Sequence, residues 1–406
     1  MKWIESGVTA ATGFKASGIH CGIRPNRTKE DLALIVSDAP CVGAGLFTKN
    51  QVKAAPVLVD KESIKHETHR AIIANSGIAN ACAPKDYENA VLMQKVTAEA
   101  LGVDPKEVLI GSTGVIGMSL DVSKIEAGLP VLMNKLTSDQ SGSELAAKAI
   151  MTTDTRKKEL AVEVELDGKQ VHIGGISKGS GMIHPNMGTM LCYLTTDAAI
   201  TKDMLQKALK EVCDISFNRI SVDGDTSTND SLIILANGMA GNELIAAEND
   251  SYQAFKEALK ALCIELARQM AKDGEGATHL ITCTVSNALD EKRAEILAKS
   301  VIRSPLTKAA IFGCDANWGR VLCALGYSGE EFNPEKVDIS FASTAGTIAV
   351  CEHGKGLPFD EAKALAILKE PEVIILADMH EGTAEATCWG CDLTYDYVKI
   401  NGDYRT

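Results

Sequence analysis

A layered α/β fold is predicted for this 406-residue chain by three features of its sequence. Apolar runs of strand length alternate with stretches of helical spacing along the whole chain. Aromatic residues make up only 4% against 45% hydrophobic residues overall, so the core must be built from aliphatic side chains and alanine. The length suffices for two core-sized units or one large one, and 23% charged residues is ordinary for a soluble globular protein. The patterning does not order the strands.

Glycine turns and short apolar runs alternate over residues 8–59. Leu32–Val36 and Pro56–Val59 read as buried strands. Ala71–Ala74 reads as another, delivering the polar turn Asn75-Ser76-Gly77-Ile78-Ala79-Asn80-Ala81-Cys82. Ala90, Leu92, Met93, Val96 and Ala100 share one face of a helix over 87–101. Val108–Ile110 reads as a strand, followed by the loop Gly111-Ser112-Thr113-Gly114-Val115-Ile116-Gly117. A short helix over 143–151 ends in the capping cluster Met151–Thr155. Leu160–Ile176 reads as a hairpin around Asp167-Gly168. It leads into the glycine-rich run Lys178–Thr189 and a strand over Met190–Leu194. Thr195–Asp197 is expected to cap a helix over Met204–Val212.

The longest helix is expected over 251–272, with Leu259, Leu262, Leu266 and Met270 on its buried face and Gly274 as its stop. Strand, helix and strand follow at Leu280–Val285, Glu291–Val301 and Ala310–Cys314. Val337–Phe341 and Thr347–Cys351 read as paired strands, with a helix over Asp360–Leu368 after them. The C-terminus reads as a strand from Trp389 and a frayed end.

A net charge of −13 argues against nucleic acid and anionic membranes as partners. The start, Met1–Gly7, lacks the apolar core of a signal peptide, and no segment is apolar enough to span a bilayer. The twelve cysteines then read as reduced and mostly buried, which fits the cytoplasm. Cys388-Trp389-Gly390-Cys391 has no second pair to complete a zinc set and reads as packing. The acidic run Asp223–Asp230 fails the calcium-loop pattern, with Thr228 where glycine is needed and Ile234 where glutamate is needed. The 111–117 loop has no lysine before its Ser/Thr and is not a P-loop.

The chemistry concentrates at Gly188-Thr189. Glycine leaves its own carbonyl open to close approach. The Thr189 hydroxyl stands one residue from that carbonyl and can attack it, turning the peptide into an ester that water cuts. The cut would leave Thr189 with a free amine beside its hydroxyl, a nucleophile with an internal base.

This stretch, the octet at Asn75–Cys82, the 111–117 loop, the run Ser216–Asp230 and the turn Cys314–Arg320 together resemble the ornithine acetyltransferase family, the bifunctional glutamate N-acetyltransferases of arginine biosynthesis. Two residues depart from the usual pattern: Gly188 stands where alanine is common, and Ile78 where a polar residue is usual. The resemblance extends along nearly the whole chain. It implies a helix–sheet–sheet–helix sandwich akin to N-terminal-nucleophile hydrolases. It also implies self-cleavage into residues 1–188 and 189–406, assembled as two copies of each.

The implied reaction is ping-pong transfer of acetyl from N-acetylornithine to glutamate through acetyl-Thr189, without metal or organic cofactor. Whether acetyl-CoA is a second donor the sequence does not say. By the same resemblance Thr113 and Gly114 hold the oxyanion, and Thr152, Lys178, Glu275, Asn401 and the terminal Thr406 position the amino acid. On their own pattern Lys178 is a surface lysine and Glu275 a loop carboxylate. Two other classes stay open: an N-terminal-nucleophile amidase or aminopeptidase, which passes the acyl group to water, and a non-enzymatic binding protein that remains uncut.

Overall fold

The computed structural model describes residues 1–25, 29–184 and 190–403. They divide into two compact units, one drawn from Met1–Gly179, Pro185–Asn218 and Thr226–Leu266, the other from Ser180–His184, Arg219–Asp225 and Ala267–Thr406. The strands in chain order are β1 (Lys2–Ile4), β2 (Phe14–Ile19), β3 (Leu32–Phe47), β4 (His69–Ile78), β5 (Val108–Val115), β6 (Lys158–Leu166), β7 (Lys169–Lys178) and β8 (Leu191–Thr196). After them come β9 (Ile220–Ser221), β10 (Ser231–Ala236), β11 (Leu280–Ala288), β12 (Asp338–Ser343), β13 (Gly346–Glu352), β14 (Lys355–Gly356), β15 (Glu372–Asp378) and β16 (Ala384–Cys391). The helices are α1 (Ala55–Ser63), α2 (Asp86–Leu101), α3 (Val122–Asn134), α4 (Gln140–Ile150), α5 (Lys202–Asp214), α6 (Asp250–Lys272), α7 (Glu291–Arg303), α8 (Pro305–Phe312), α9 (Trp318–Gly326), α10 (Glu361–Leu368) and α11 (Tyr395–Gly402). The α/β class expected from the sequence is the class observed. Among the described residues no helix is long and apolar enough to cross a membrane.

The first unit holds a nine-stranded sheet in the order β1-β6-β7-β8-β10-β3-β4-β5, with β2 paired to β3. Its central strands β8 and β10 are buried at every position because both faces are covered. Leu32, Leu34, Ala71, Ile73, Val108 and Ile110 meet Met93 of α2 and Ile125 and Leu129 of α3 in one core cluster. The alternate residues Ala33, Ile35, Ile72, Ala74 and Leu109 meet Ala146, Ala147 and Ile150 of α4 in another. Between β6 and β7 the turn residues Asp167 and Gly168 both have positive φ, as the sequence led one to expect of a two-residue hairpin. The second unit holds a seven-stranded sheet, β14-β13-β12-β15-β11-β16-β9. Cys388 and Cys391 of β16 are both buried and unpaired by disulfide, in keeping with a packing role.

Several local expectations are corrected. Pro56–Val59 lies in helix α1, not a strand: Pro56 sits in its first turn, where a fixed φ and a missing N–H suit a helix start. Ala310–Cys314 likewise falls largely in α8, opened by Pro305 and by Ser304, whose Oγ accepts from the Thr307 N–H at 3.2 Å. Short apolar runs do not distinguish strand from buried helix by period alone. The octet at 75–82 and the 111–117 loop are not free turns at first: β4 runs to Ile78 and β5 to Val115, paired as parallel strands. The cap of α5 is Thr201, which accepts from the Met204 N–H at 3.4 Å. Leu92 and Ala100 are exposed rather than on the buried face of α2. The expected frayed end contains α11, capped by Thr394.

One close approach dictates a glycine. A Cβ on Gly111 of β5 would lie 1.9 Å from the Tyr193 hydroxyl oxygen of β8. Gly111→Ala is therefore expected to destabilise by about 1–3 kcal/mol through overpacking. Urea unfolding should show a smaller loss for the same change in a Tyr193→Phe background, where the colliding oxygen is gone.

Candidate active site

The end of β5 carries the expected oxyanion pair. Thr113 stands opposite Ser76 and Gly114 opposite Gly77 in the parallel ladder with β4. Gly114 has φ +131°, and a Cβ there would lie 2.3 Å from the Gly77 carbonyl carbon. Only glycine fits that backbone, so an N–H at this position comes without a side chain to shield it.

Lys178 closes β7. It is buried, not a surface lysine, and its Nζ donates to Thr113 Oγ1 at 3.4 Å. The chain therefore brings two of the expected site residues together across 65 positions of sequence. A buried ammonium needs a counter-charge, and Asp154 supplies one. Its Oδ1 accepts from Lys158 Nζ at 2.7 Å and from the Gly179 N–H at 2.7 Å. Its Oδ2 accepts from the Thr152 N–H at 2.9 Å. Burial opposes ionisation of Asp154, but Lys158 and Lys178 beside it outweigh burial and hold the carboxyl well below the usual carboxylate range. Thr152 is thus fixed through its backbone to the carboxylate that anchors the residue after Lys178.

A second polar network braces the same strand end. Asn229 Nδ2 donates to the carbonyls of Ala79 at 2.6 Å and Ser112 at 2.8 Å. The Ser112 hydroxyl donates to Asn75 Oδ1 at 2.6 Å. Next to Asn229, burial pushes the Asp230 carboxyl well above its ordinary range despite the nearby Ser227 and Thr48 hydroxyls and Lys178.

In the second unit, Glu275 and Asn401 meet. Asn401 Nδ2 donates to Glu275 Oε2 at 2.7 Å, and the Glu275 N–H donates to the Ser180 carbonyl at 2.9 Å. Glu275 is buried. A Cβ on Gly181 would fall 2.3 Å from its carboxyl carbon, so the glycine run makes room for this side chain. In the acidic run, Asp223 spends its carboxylate on the N–H groups of Met182 and Ile183, at 2.6 and 2.9 Å.

Gly188, Thr189 and Thr406 lie outside the described residues. Asp154, Lys158 and Asn229 were not singled out from the sequence. The four-residue spacing of Asp154 and Lys158 was their one local signal; Asn229 had none beyond its place in the Ser216–Asp230 run.

Asp154→Asn should cost about 3–5 kcal/mol, because it removes the charge of one member of the buried Asp154–Lys158 pair. The folded-state carboxyl is depressed, so its contribution is complete above the unfolded value of ~3.9 and is lost as pH falls through the lower folded value. The gap in urea midpoint between the parent and Asp154→Asn should accordingly be wide at neutral pH and begin to narrow only below about pH 4.

The family model described as the ArgJ family matches residues 15–406. An arginine biosynthesis bifunctional protein ArgJ from Clostridium acetobutylicum is 53% identical over 400 residues, which span 98% of this chain and 97% of that one. Its counterpart from Symbiobacterium thermophilum is 49% identical over 408 residues and the full length of both chains. The crystal structure of the Bacillus halodurans arginine biosynthesis bifunctional protein is 45% identical, with a TM-score of 0.49, over 51% of this chain and 96% of that one. The chain belongs to the ArgJ family.

Proposed function

We propose that this chain transfers an acetyl group from N-acetylornithine to glutamate in arginine biosynthesis, through an acetyl ester on Thr189. The observation that carries the reading is the buried Lys178 ammonium 3.4 Å from the Thr113 hydroxyl, at the end of the strand that carries Gly114. A cation and a hydroxyl converge there beside a backbone N–H that no side chain can cover. Such a group of donors suits a carbonyl oxygen that gains negative charge and an amino-acid carboxylate.

In this scheme the chain cuts itself between Gly188 and Thr189, giving residues 1–188 and 189–406, two copies of each in the assembled enzyme. Thr189 Oγ attacks the acetyl carbonyl, and the Thr189 amine takes the proton. Thr113 and Gly114 hold the oxyanion. The intermediate collapses, the proton passes to the leaving amine, and ornithine departs with its carbon–nitrogen bond to acetyl broken. Glutamate repeats the steps in reverse order, and its amine carries the acetyl away. Lys178 takes the amino-acid carboxylate, while Glu275, Asn401, Thr152 and Thr406 position its ammonium and chain. The word "bifunctional" in the relatives' names supports acetyl-CoA as a second donor. The reaction belongs in the cytoplasm.

Ping-pong chemistry predicts that purified enzyme exchanges labelled ornithine into N-acetylornithine with no glutamate present. Exchange that requires glutamate would replace the ester intermediate with direct transfer. Hydrolysis of N-acetylornithine without N-acetylglutamate formation would favour the amidase. Thr189→Ala should remain one 43.1 kDa chain and show no exchange. Lys178→Met should lower kcat/KM about 10–150-fold, the range for losing one charged hydrogen bond. Because the base must be neutral to act, kcat should rise with pH through the α-amine range of ~7.7–8.0 and then level.

A further inference from the structure

We propose that Asn229 is a positioning residue for acyl transfer: its side-chain amide sets where the Thr113–Gly114 donors stand. This rests on the reading of Thr113, Gly114 and Thr189 given above. Gly114 occupies a backbone conformation that only glycine reaches freely, at φ +131°. Such a backbone is soft by itself and must be held by its neighbours. The ladder with β4 becomes irregular at this point, with register shifts at Gly77 and Ile78. The Asn229 amide takes up the slack. Its two N–H groups reach the carbonyl of Ser112, in the peptide that leads into Thr113, and the carbonyl of Ala79, just beyond the end of β4.

The brace is itself fixed. Thr228 Oγ1 donates to Asn229 Oδ1 at 2.6 Å, which turns the amide so that its N–H groups face the two carbonyls. The Ala54 N–H donates to the Thr228 carbonyl at 2.9 Å, and Thr48 Oγ1 donates to the Ser227 carbonyl at 2.9 Å. Two residues after Asn229, the Ser231 N–H donates to the Met190 carbonyl at 2.8 Å, where β10 begins its parallel pairing with β8. Met190 directly follows Thr189 in sequence. One short segment, Ser227–Ser231, therefore ties the strand of the oxyanion donors to the strand that the nucleophile leads into. A misplacement of about 1 Å between such groups costs on the order of 100-fold in rate.

The test uses full-length, self-processed enzyme and counts working sites by the acetyl bound after an acid quench with N-acetylornithine. Per acetylated site, Asn229→Ala should lose about 100-fold in kcat, with KM for N-acetylornithine within about threefold. The pH at which kcat half-rises should not move, because the base is untouched. Asn229→Asp should fare no better, since a carboxylate cannot donate to two carbonyls. Thr228→Val, which only frees the amide to rotate, should lose about tenfold and decides the matter if the Asn229 variants fail to fold or to cut. Unchanged kcat per site in a folded Asn229 variant, or in Thr228→Val, would overturn the proposal and leave Asn229 a packing residue. Absence of any acetyl adduct in the parent enzyme would instead remove the Thr189 reading, and is seen before a variant is made.

Discussion

A carboxylate without access to water governs the first unit. Asp154 receives the Lys158 ammonium and the Gly179 amide on one oxygen and the Thr152 amide on the other. It thereby joins the start of β6, the end of β7 and the turn after α4. A lone buried carboxylate would take up a proton; this one stays ionised because two lysines stand beside it. Lys158 in turn is buried with its ammonium 2.7 Å from this carboxylate. Buried ion pairs contribute little net stability against an apolar alternative, but losing one partner is costly, so they fix one arrangement and exclude others. The arrangement fixed here puts a cation against the Thr113 hydroxyl.

Glycine is the complementary constraint. At Gly111 the space of a side chain is taken by Tyr193, at Gly114 by the backbone of Gly77, and at Gly181 by the Glu275 carboxyl. Each lets a polar group approach the main chain more closely than alanine would permit. At Gly114 the gain is close contact between two strands with no side chain over the peptide. At Gly181 it is room for a carboxylate that Asn401 then orients. Packing alone accounts for glycine at each of these positions.

Much of the fold was legible because its signals are local. The Asp167-Gly168 turn requires positive φ at two adjacent residues, and few sequences satisfy that. Helix α6 repeats its apolar face over 23 residues, too long for any strand. Pro56–Val59 and Ala310–Cys314 misled because four or five apolar residues fit either period, and the proline and serine that open α1 and α8 carried the deciding signal. Helix α3 passed unnoticed because Gly128 and Pro130 interrupt its pattern. For the site, family resemblance named Lys178, Thr113, Glu275 and Asn401. Their burial and pairing depend on residues 65 and 126 positions away, and spacing carries no record of such partners. Asp154 hid in a Thr-rich turn that looks like any helix terminus. Asn229 hid in an oxygen-rich run whose composition suggests cation binding, while its geometry serves two backbone carbonyls.

Where the acetyl group rests between the two half-reactions is the question that bears most directly on the mechanism. Enzyme mixed with N-[13C]acetylornithine, quenched in acid, digested and sequenced by tandem mass spectrometry should yield one labelled peptide. The label should sit on the hydroxyl of Thr189 at the newly formed amino end. Label on any other side chain, or none at an enzyme concentration that turns over substrate, would contradict transfer through a threonine ester.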